Sequence, residues 1–425
     1  MSHIIENPRF SCALGGALNT ITAIDGVVPI IHGGPGCGVQ VFYGQNFTSG
    51  FRGSGWIGGV AVPSSNTYEE EVVFGGESRL KEQIEKTFEI IDGDRYIVIT
   101  ACTSELIGDD IKGVLREVQQ NNKNSIIYAE TAGFRGSSYK GYEILLDAII
   151  EQVLEVKEKN PKLVNLIGII PSQDVFWRGN LNEIEKILND IGLEVNTLIN
   201  GKNLEDLSSA SLNIVLSPWL GIEASKKLED KYGIPYIVNP LPIGTQQTNE
   251  FIKRIDEFFK IDTNEYIAKK ELKTYKSIES VADFIVDMDV QPKFATITDS
   301  NYAIALNKFL INELGWIPST VLIIDDVPED RREFIKNELN FKDLPSPEVI
   351  FESDSYEIWE AVEKNPPEFI FGSSLDKDFA NKRNIPILTV SFPITTKVVI
   401  EKSYAGYSGS IRLIEDALSE TTAFF

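Results

Sequence analysis

The chain has 425 residues, of which 42% are hydrophobic and 24% are charged, and this composition excludes disordered and collagen-like proteins. A formal net charge of −23 disfavours nucleic acid as a partner, because that affinity depends largely on Lys and Arg displacing condensed counterions. Three cysteines and two histidines argue against a disulfide framework and against the common His-rich zinc sites. The start, MSHIIENPRF, has no signal-peptide pattern and no run of eighteen apolar residues follows, so we expect a cytoplasmic protein without a membrane partner.

Short apolar runs alternate with amphipathic stretches along the chain, which predicts βαβ units with parallel sheets. The predicted strands form three blocks: 27–32, 96–101 and 125–129; then 164–170, 193–198, 212–216 and 236–238; then 294–298, 320–324, 348–351, 369–371 and 387–390. Helices are predicted at 78–89, 105–120, 138–156 and 181–191, with further helix within 250–280. The Gly-, Ser- and Asn-rich stretch 42–71 predicts an extended surface loop.

The three blocks predict an α/β protein with three doubly wound, Rossmann-like lobes. Lys- and Glu-rich sequence near residues 155–162 and helical sequence near 266–279 suggest the boundaries. We therefore predict a first domain at 1–158, a second at 159–280, and a third at 281–425 that ends in a helix. Ligands of such folds bind at the carboxyl ends of the strands.

All three cysteines, Cys12, Cys37 and Cys102, precede predicted helices within the first block. A helix N-terminus stabilises a thiolate, so lowered pKa values are expected there, and the glycines around Cys37 let the backbone approach a large anion. These are the conditions that an iron–sulfur cluster needs, although a cysteine also serves as a small buried hydrophobic residue. A cubane cluster wants four ligands, so the fourth would be an oxygen, a backbone group or a residue of another chain.

Seven segments then form a recognisable series: Cys12-Ala13-x-Gly15-x-Ala17, His32-Gly33-x-x-Gly36-Cys37, Phe74-Gly75-Gly76-x-x-x-Leu80, Thr100-x-Cys102-x-x-Glu105-x-Ile107-Gly108-Asp109-Asp110-Ile111, Gly133-Phe134-x-Gly136, Leu241-Pro242-Ile243-Gly244-x-x-x-Thr248 and Gly406-Tyr407-x-Gly409. In them the sequence resembles the component 1 family of nitrogenase and nitrogenase-like reductases over essentially the whole chain. The family resemblance implies an oxidoreductase subunit in an α2β2 tetramer. It also implies that Cys12, Cys37 and Cys102 ligate an iron–sulfur cluster shared with the partner subunit, of the [8Fe-7S] P-cluster type or [4Fe-4S].

The resemblance further favours the β-type subunit of a molybdenum, vanadium or iron-only nitrogenase, or of a nitrogenase-like reductase. No Cys or His follows Cys102, whereas the α-type subunit holds its catalytic cofactor through such residues. The β-type role is to relay electrons from an ATP-dependent iron protein, which would dock near Phe74. Around the cluster, the resemblance assigns supporting positions to His32, Gly33, Gly36 and Gly133. At the position of Gly133 the β subunits of molybdenum nitrogenase tend to have a serine that is a supplementary cluster ligand.

Other interpretations stay open at this point. The chain could be a subunit of methylthio-alkane reductase type, a scaffold subunit for cofactor assembly, or a three-lobed binding protein without a cluster. His32 could equally be an ordinary core histidine, and Phe74 a residue of local packing. Asp109 and Asp110 are expected in the first turns of a helix that begins near Glu105, and Arg135 either offsets cluster charge or lies on the surface.

Overall fold

The computed structural model describes residues 6, 9–50, 62–199, 204–287, 291–341 and 346–422. In these residues it has twelve strands, and each predicted strand is present with ends that differ by a few residues. They are β1 (Val27–His32), β2 (Arg95–Thr100), β3 (Ile126–Ala129), β4 (Leu163–Ile167), β5 (Glu194–Thr197), β6 (Leu212–Val215), β7 (Tyr236–Val238), β8 (Lys293–Thr298), β9 (Ile317–Ile323), β10 (Glu348–Phe351), β11 (Phe369–Gly372) and β12 (Ile387–Thr389). In β2 every residue after Arg95 is buried, the continuous apolar run expected of a strand covered on both faces.

The strands form three sheets in which all pairs are parallel. Their orders are β1-β2-β3, β5-β4-β6-β7 and β10-β9-β8-β11-β12. In the second and third sheets the order reverses at β4 and β8, which leaves a crevice at the carboxyl ends of the strands. The α/β class with parallel sheets is therefore confirmed.

Helices separate the strands and cover the sheets. They are α1 (Ala13–Thr22), α2 (Pro35–Thr48), α3 (Glu69–Phe74), α4 (Glu77–Ile90), α5 (Cys102–Ile107), α6 (Ile111–Asn121), α7 (Ser138–Gln152), α8 (Trp177–Asp190), α9 (Ile222–Tyr232), α10 (Thr245–Phe259), α11 (Asn264–Glu279), α12 (Ala282–Asp287), α13 (Ser300–Asn312), α14 (Glu329–Glu338), α15 (Ser355–Lys364), α16 (Lys377–Lys382) and α17 (Gly406–Thr422). On the first sheet α1 packs against α7, and α4 packs against α6. No helix in the described part of the chain is long and apolar enough to cross a membrane.

Two predicted elements were wrong in part. The predicted loop at 42–71 is helical at both ends, because α2 continues to Thr48 and α3 begins at Glu69; residues 51–61 lie outside the described residues. The predicted helix at 105–120 is two helices, since Gly108 adopts a left-handed φ of 80° that ends α5 and the chain re-enters helix only at Ile111. Asp109 and Asp110 therefore lie between two helices and not in the first turns of one.

The three blocks of the chain pack together through a common apolar core. One apolar core cluster includes Leu14, Val164 and Phe294, which belong to different blocks of the chain. The fully buried Arg9 reaches the third block, where its two terminal nitrogens donate to Asp376 at 3.0 and 2.7 Å. The domain limits at residues 158 and 280 stay predictions, since the blocks are joined by a common core.

Candidate functional site

The three cysteines lie at helix N-termini at the carboxyl edge of the first sheet. Cys12 is the residue before α1, Cys37 is in the first turn of α2, and Cys102 begins α5. Cys37 and Cys102 follow the neighbouring parallel strands β1 and β2, so both arrive at the same sheet edge. Cys12 reaches that edge because the main chain beside it pairs with Gly136 and Ser138.

Gly133 marks the point where two of the thiols meet. A Cβ atom at this glycine would lie 3.2 Å from Cys102 Sγ, 3.3 Å from Cys12 Cβ and 3.7 Å from Cys12 Sγ. The Gly133 backbone N–H donates to Cys102 Sγ over 3.1 Å. The absence of a side chain at Gly133 therefore lets a backbone donor approach the thiols closely.

Cys37 lies close enough to Cys12 and Cys102 for their thiols to affect its ionisation. Partial burial raises the pKa of the Cys37 thiol, and the neighbouring Cys102 and Cys12 raise it further. The expectation of a lowered pKa at this helix N-terminus was therefore wrong for Cys37, because its sulfur loses part of its contact with solvent and lies near two other thiols. Cys12 and Cys37 are exposed and Cys102 is half-buried. Among the described residues no group of three or more His, Cys, Asp or Glu side chains could hold a single metal ion.

His32 is buried at the end of β1 with both ring nitrogens engaged. Nδ1 lies 2.9 Å from Ser65 Oγ, and Nε2 lies 2.8 Å from Asp109 Oδ2. Burial lowers the pKa of His32, and the hydrogen bond and charge of Asp109 oppose that shift. The other Asp109 oxygen accepts from the Gly76 N–H at 2.8 Å. His32 therefore links β1 to the turn that follows Phe74, a connection that sequence spacing did not reveal.

The two remaining glycines predicted for the site differ in their surroundings. A Cβ at Gly33 would lie only 2.3 Å from Ala101 Cβ, so this glycine allows the ends of β1 and β2 to pack closely. A Cβ at Gly36 would meet no atom within 4 Å. The structure therefore gives a packing reason for glycine at position 33 and none at position 36.

Glu105 joins the cysteine helix to the loop that carries Gly133. Its Oε1 accepts from Ala132 N at 2.9 Å and from Thr100 Oγ1 at 2.5 Å, while its Oε2 accepts from Arg135 Nε at 2.6 Å. Arg135 also pairs with Glu130 at 2.5 Å, and these carboxylates raise the pKa of Arg135. Arg135 is therefore a cation paired with two carboxylates. The contacts of Glu105 were not predicted from the sequence.

We call the carboxyl edge of the first sheet, with Cys12, Cys37 and Cys102, the cysteine edge. Exposed apolar side chains lie on the segments that carry or adjoin Cys102. Phe74 is 82% exposed and Leu106 is 73% exposed, and α3, which carries Phe74, packs against α5, which carries Cys102 and Leu106. Val73 and Phe134 are exposed as well. We call Val73, Phe74, Leu106 and Phe134 the apolar rim. Large exposed apolar side chains that adjoin one another are typical of a protein–protein contact.

A second polar cluster, the junction cavity, lies at the carboxyl ends of β4, β6, β8 and β9. It has a volume of about 30 Å³, and Asp174, Trp219, Asp299, Tyr302 and Asp325 are among its lining residues. Trp219 Nε1 donates to Asp325 at 2.8 Å, and Tyr302 OH donates to Asp174 at 3.2 Å. Burial and the charges of Asp325 and Asp174 raise the pKa of Asp299 to about 8. The crevice between lobes is thus closed by the protein's own side chains.

Comparison with known proteins was made for both sequence and fold. The family model of nitrogenase component 1 type oxidoreductase matches residues 12–421. The chain is 26% identical to the nitrogenase vanadium-iron protein beta chain of Trichormus variabilis, covering 96% of this chain and 91% of that one. It is 27% identical to the nitrogenase molybdenum-iron protein beta chain of Methanococcus maripaludis, covering 97% and 93%.

A cofactor biosynthesis protein is also similar. The nitrogenase iron-molybdenum cofactor biosynthesis protein NifE of Methanococcus maripaludis is 25% identical, over 94% of this chain and 80% of that protein. In fold, the solved structure of nitrogenase Cp1 at pH 6.5 superposes with a TM-score of 0.84 at 21% identity, over 100% of this chain and 94% of that one. The motif series, the three parallel sheets and a family match over nearly the full length agree, and the chain belongs to the nitrogenase component 1 type oxidoreductases.

Proposed function

We propose that this chain is the β-type subunit of a nitrogenase or nitrogenase-like reductase and supplies half of an iron–sulfur cluster. Cys12, Cys37 and Cys102 would be its cluster ligands, with the remaining ligands supplied by an α-type subunit in an α2β2 complex. The observation that carries the proposal is the meeting of Cys12, Cys102 and the Gly133 N–H at one point of the sheet edge.

The residues present suit such a group. An iron–sulfur cluster is held by cysteine thiolates and tuned by hydrogen bonds to sulfur, and this edge offers both. The thiols are partly exposed, and these residues do not close a single-ion site, so the geometry favours a larger group completed from outside the chain. When bound, the cluster would supply one-electron transfer, and it would be of the [8Fe-7S] or the [4Fe-4S] form.

Phe74 and the rest of the apolar rim would receive the ATP-dependent iron protein. Phe74 is 82% exposed and ends a helix that contacts α5, whose first residue is Cys102. An iron protein docked on the apolar rim would therefore lie near the thiols, as an electron donor must. The relatives named as beta chains of nitrogenases support the proposal that this chain is a β-type subunit.

The absence of Cys and His after Cys102 supports a catalytic metallocofactor held by the other subunit. The junction cavity agrees with this division, since it has a volume of only about 30 Å³ and its walls carry carboxylates. This chain would then relay electrons and shape the interface, and substrate chemistry would occur in the partner.

The test is the iron content of the complex. The chain is co-expressed with its α-type partner, the complex is purified anaerobically, and iron is measured together with the electron paramagnetic resonance spectrum. We expect Cys12→Ala and Cys102→Ala to lose most of the iron assigned to the shared cluster. Ser11→Ala is the matched control, because it removes a buried hydroxyl without a hydrogen-bond partner directly beside Cys12. Unchanged iron in both cysteine variants, or none in the wild type, would contradict the proposal.

The match to NifE favours one second candidate, a scaffold subunit on which the cofactor of another protein is assembled. Turnover separates the two. A reductase complex given the iron protein and ATP reduces a substrate, with dinitrogen and a methylthio-alkane as the two to try. A scaffold complex binds iron and releases cofactor without turnover.

A further inference from the structure

We propose that Glu105 is a positioning residue that fixes the hydrogen bond from Gly133 N–H to Cys102 Sγ and thereby sets the reduction potential at Cys102. This inference rests on the proposed function, since it concerns the cluster that Cys102 would hold. The hydrogen bonds of Glu105 go to Thr100, Ala132 and Arg135 and not to a thiol. Glu105 therefore acts through the loop between β3 and α7, which carries Gly133.

The hydrogen bond depends on the position of a short segment of backbone. Gly133 begins a single turn of 3-10 helix that ends at Arg135, and its N–H lies 3.1 Å from Cys102 Sγ. One turn of this kind has few internal bonds to hold it in place. The distance from the amide to the sulfur must therefore be maintained by contacts from outside the turn.

Glu105 supplies those contacts on both sides of Gly133. One carboxylate oxygen accepts from Ala132 N–H, immediately before Gly133, and the other accepts from Arg135 Nε, two residues after it. The Glu105 side chain is only 9% exposed, so these charge-assisted bonds are little weakened by water. Because Glu105 lies on α5, three residues after Cys102, it holds the donor and the sulfur in one frame.

The end of β2 anchors the same frame. Thr100 Oγ1 donates to Glu105 Oε1 at 2.5 Å and accepts from Thr131 N–H at 2.9 Å. The loop that carries Gly133 is therefore tied to β2 through Thr100 and to α5 through Glu105. Removal of the carboxylate would release Ala132 N–H and Arg135 Nε together, while the two hydrogen bonds between Thr131 and Thr100 and the bond from Ala13 N–H to Gly136 O would remain.

The expected consequence is electronic. A hydrogen bond to a ligating sulfur stabilises the more negative, reduced form of an iron–sulfur cluster and raises its potential. Loss of the Gly133 bond should therefore shift the midpoint potential in the negative direction. A residue that merely kept the loop folded would change stability without a directed change of potential.

The experiment compares three variants in the anaerobically purified complex by redox titration followed with electron paramagnetic resonance. We expect a negative shift in Glu105→Ala and a smaller one in Glu105→Gln, which keeps an oxygen acceptor for Ala132 N–H but loses the ion pair with Arg135. Glu130→Gln is the control and should leave the potential unchanged, since the hydrogen bond of Glu130 goes to an outer nitrogen of Arg135 and not to Ala132 or Gly133.

Amide hydrogen exchange of the peptide containing Gly133, measured in the same complexes, gives a readout that does not depend on iron. Faster exchange is expected in both Glu105 variants, including any that lose iron, and not in Glu130→Gln. Unchanged exchange in Glu105→Ala would overturn the positioning role, and faster exchange with an unchanged potential would overturn the effect on potential. A wild-type complex without iron would instead contradict the proposed function, while the exchange comparison would still test the hold of Glu105 on Gly133.

Discussion

The cysteine edge of the first sheet and the junction cavity occupy equivalent places in the fold but have opposite chemistry. Both lie where parallel strands end and helices begin, as Cys37 and Cys102 follow β1 and β2 while Asp299 and Asp325 follow β8 and β9. The thiols at the first edge are exposed or half-buried. In the junction cavity Asp174 and Asp325 are buried and Asp299 is half-buried, and all three carboxylates accept hydrogen bonds from neighbouring residues.

The difference shows that the carboxyl edge of a sheet is only a location, and that side chains decide its use. At the cysteine edge small residues leave backbone donors and sulfur accessible to a partner. At the junction cavity Trp219, Tyr302 and three aspartates fill the crevice where such folds bind ligands. One edge leaves its functional side chains exposed, and the other is filled by this chain's own side chains.

The ion pair between Arg9 and Asp376 connects the cysteine edge to the third block, and breaking it is expected to have the largest effect on stability. Asp376→Asn leaves the fully buried Arg9 without its charge partner, which costs about 3–5 kcal/mol in comparable cases. Denaturant unfolding measures the loss. The double variant Arg9→Met with Asp376→Leu should recover much of it, and a single variant as stable as wild type would show that the two regions are not coupled here.

A side chain at Gly133 should disturb the cysteine edge alone. Gly133→Ala places a methyl group 3.2 Å from Cys102 Sγ, and overpacking of this kind costs about 1–3 kcal/mol. We also expect lower iron content, because the thiols and the amide donor must separate. Gly34→Ala is the matched control, since a Cβ there would lie 3.7 Å from its nearest neighbour, Thr67 O, which is an ordinary contact distance. Equal iron and equal thermal stability in the two variants would remove the special role of Gly133.

The junction cavity should make stability depend on pH. Burial and the nearby Asp325 and Asp174 raise the pKa of Asp299 from 3.8 to about 8, so the folded chain holds a proton that the unfolded chain releases near its ordinary pKa. Stability from this group is complete below pH 3.8 and is lost as the pH rises through about 8. In Asp299→Asn, the fall in Tm between pH 6 and pH 9 should be smaller than in the wild type. An identical pH dependence of Tm in the two proteins would show that ionisation of Asp299 does not lower the stability of the fold.

Truncation of the apolar rim should have the smallest effect on stability. Phe74→Ala removes a ring that is 82% exposed, so the change in unfolding free energy should stay within about 0.5 kcal/mol. The rate of electron transfer from the iron protein should nevertheless fall. Val156→Ala, at a residue 85% exposed in the segment that leads to β4, is the control and should change neither quantity. A normal rate in Phe74→Ala would place the docking surface elsewhere.

The fold was largely readable from the sequence because parallel strands buried on both faces are continuous apolar runs. The stretch around Tyr96, where β2 is buried almost throughout, is typical. The placement of all three cysteines at helix starts was also predicted correctly. Helix ends were less predictable, since Gly108 ends α5 by its left-handed φ, which residue type allows but does not require.

Contacts between distant residues could not be predicted in the same way. His32 and Asp109 are 77 positions apart, and Arg9 and Asp376 are 367 positions apart, so no local pattern pairs them. The raised pKa of Cys37 also escaped prediction, because it depends on partial burial and on thiols brought close only by the fold. Glu105 belongs to a sequence motif, but its hydrogen bonds to the loop that carries Gly133 depend on the fold and could not be predicted from the sequence.

The position of Arg9 has a consequence for biosynthesis. Arg9 precedes Cys12 by three residues, yet its partner Asp376 lies 367 positions further along the chain and is therefore synthesised much later. Domains made first ordinarily fold first during translation. Here the ion pair that holds the chain just before the first cysteine cannot form until synthesis has reached Asp376, so this side of the cysteine edge is completed late in folding.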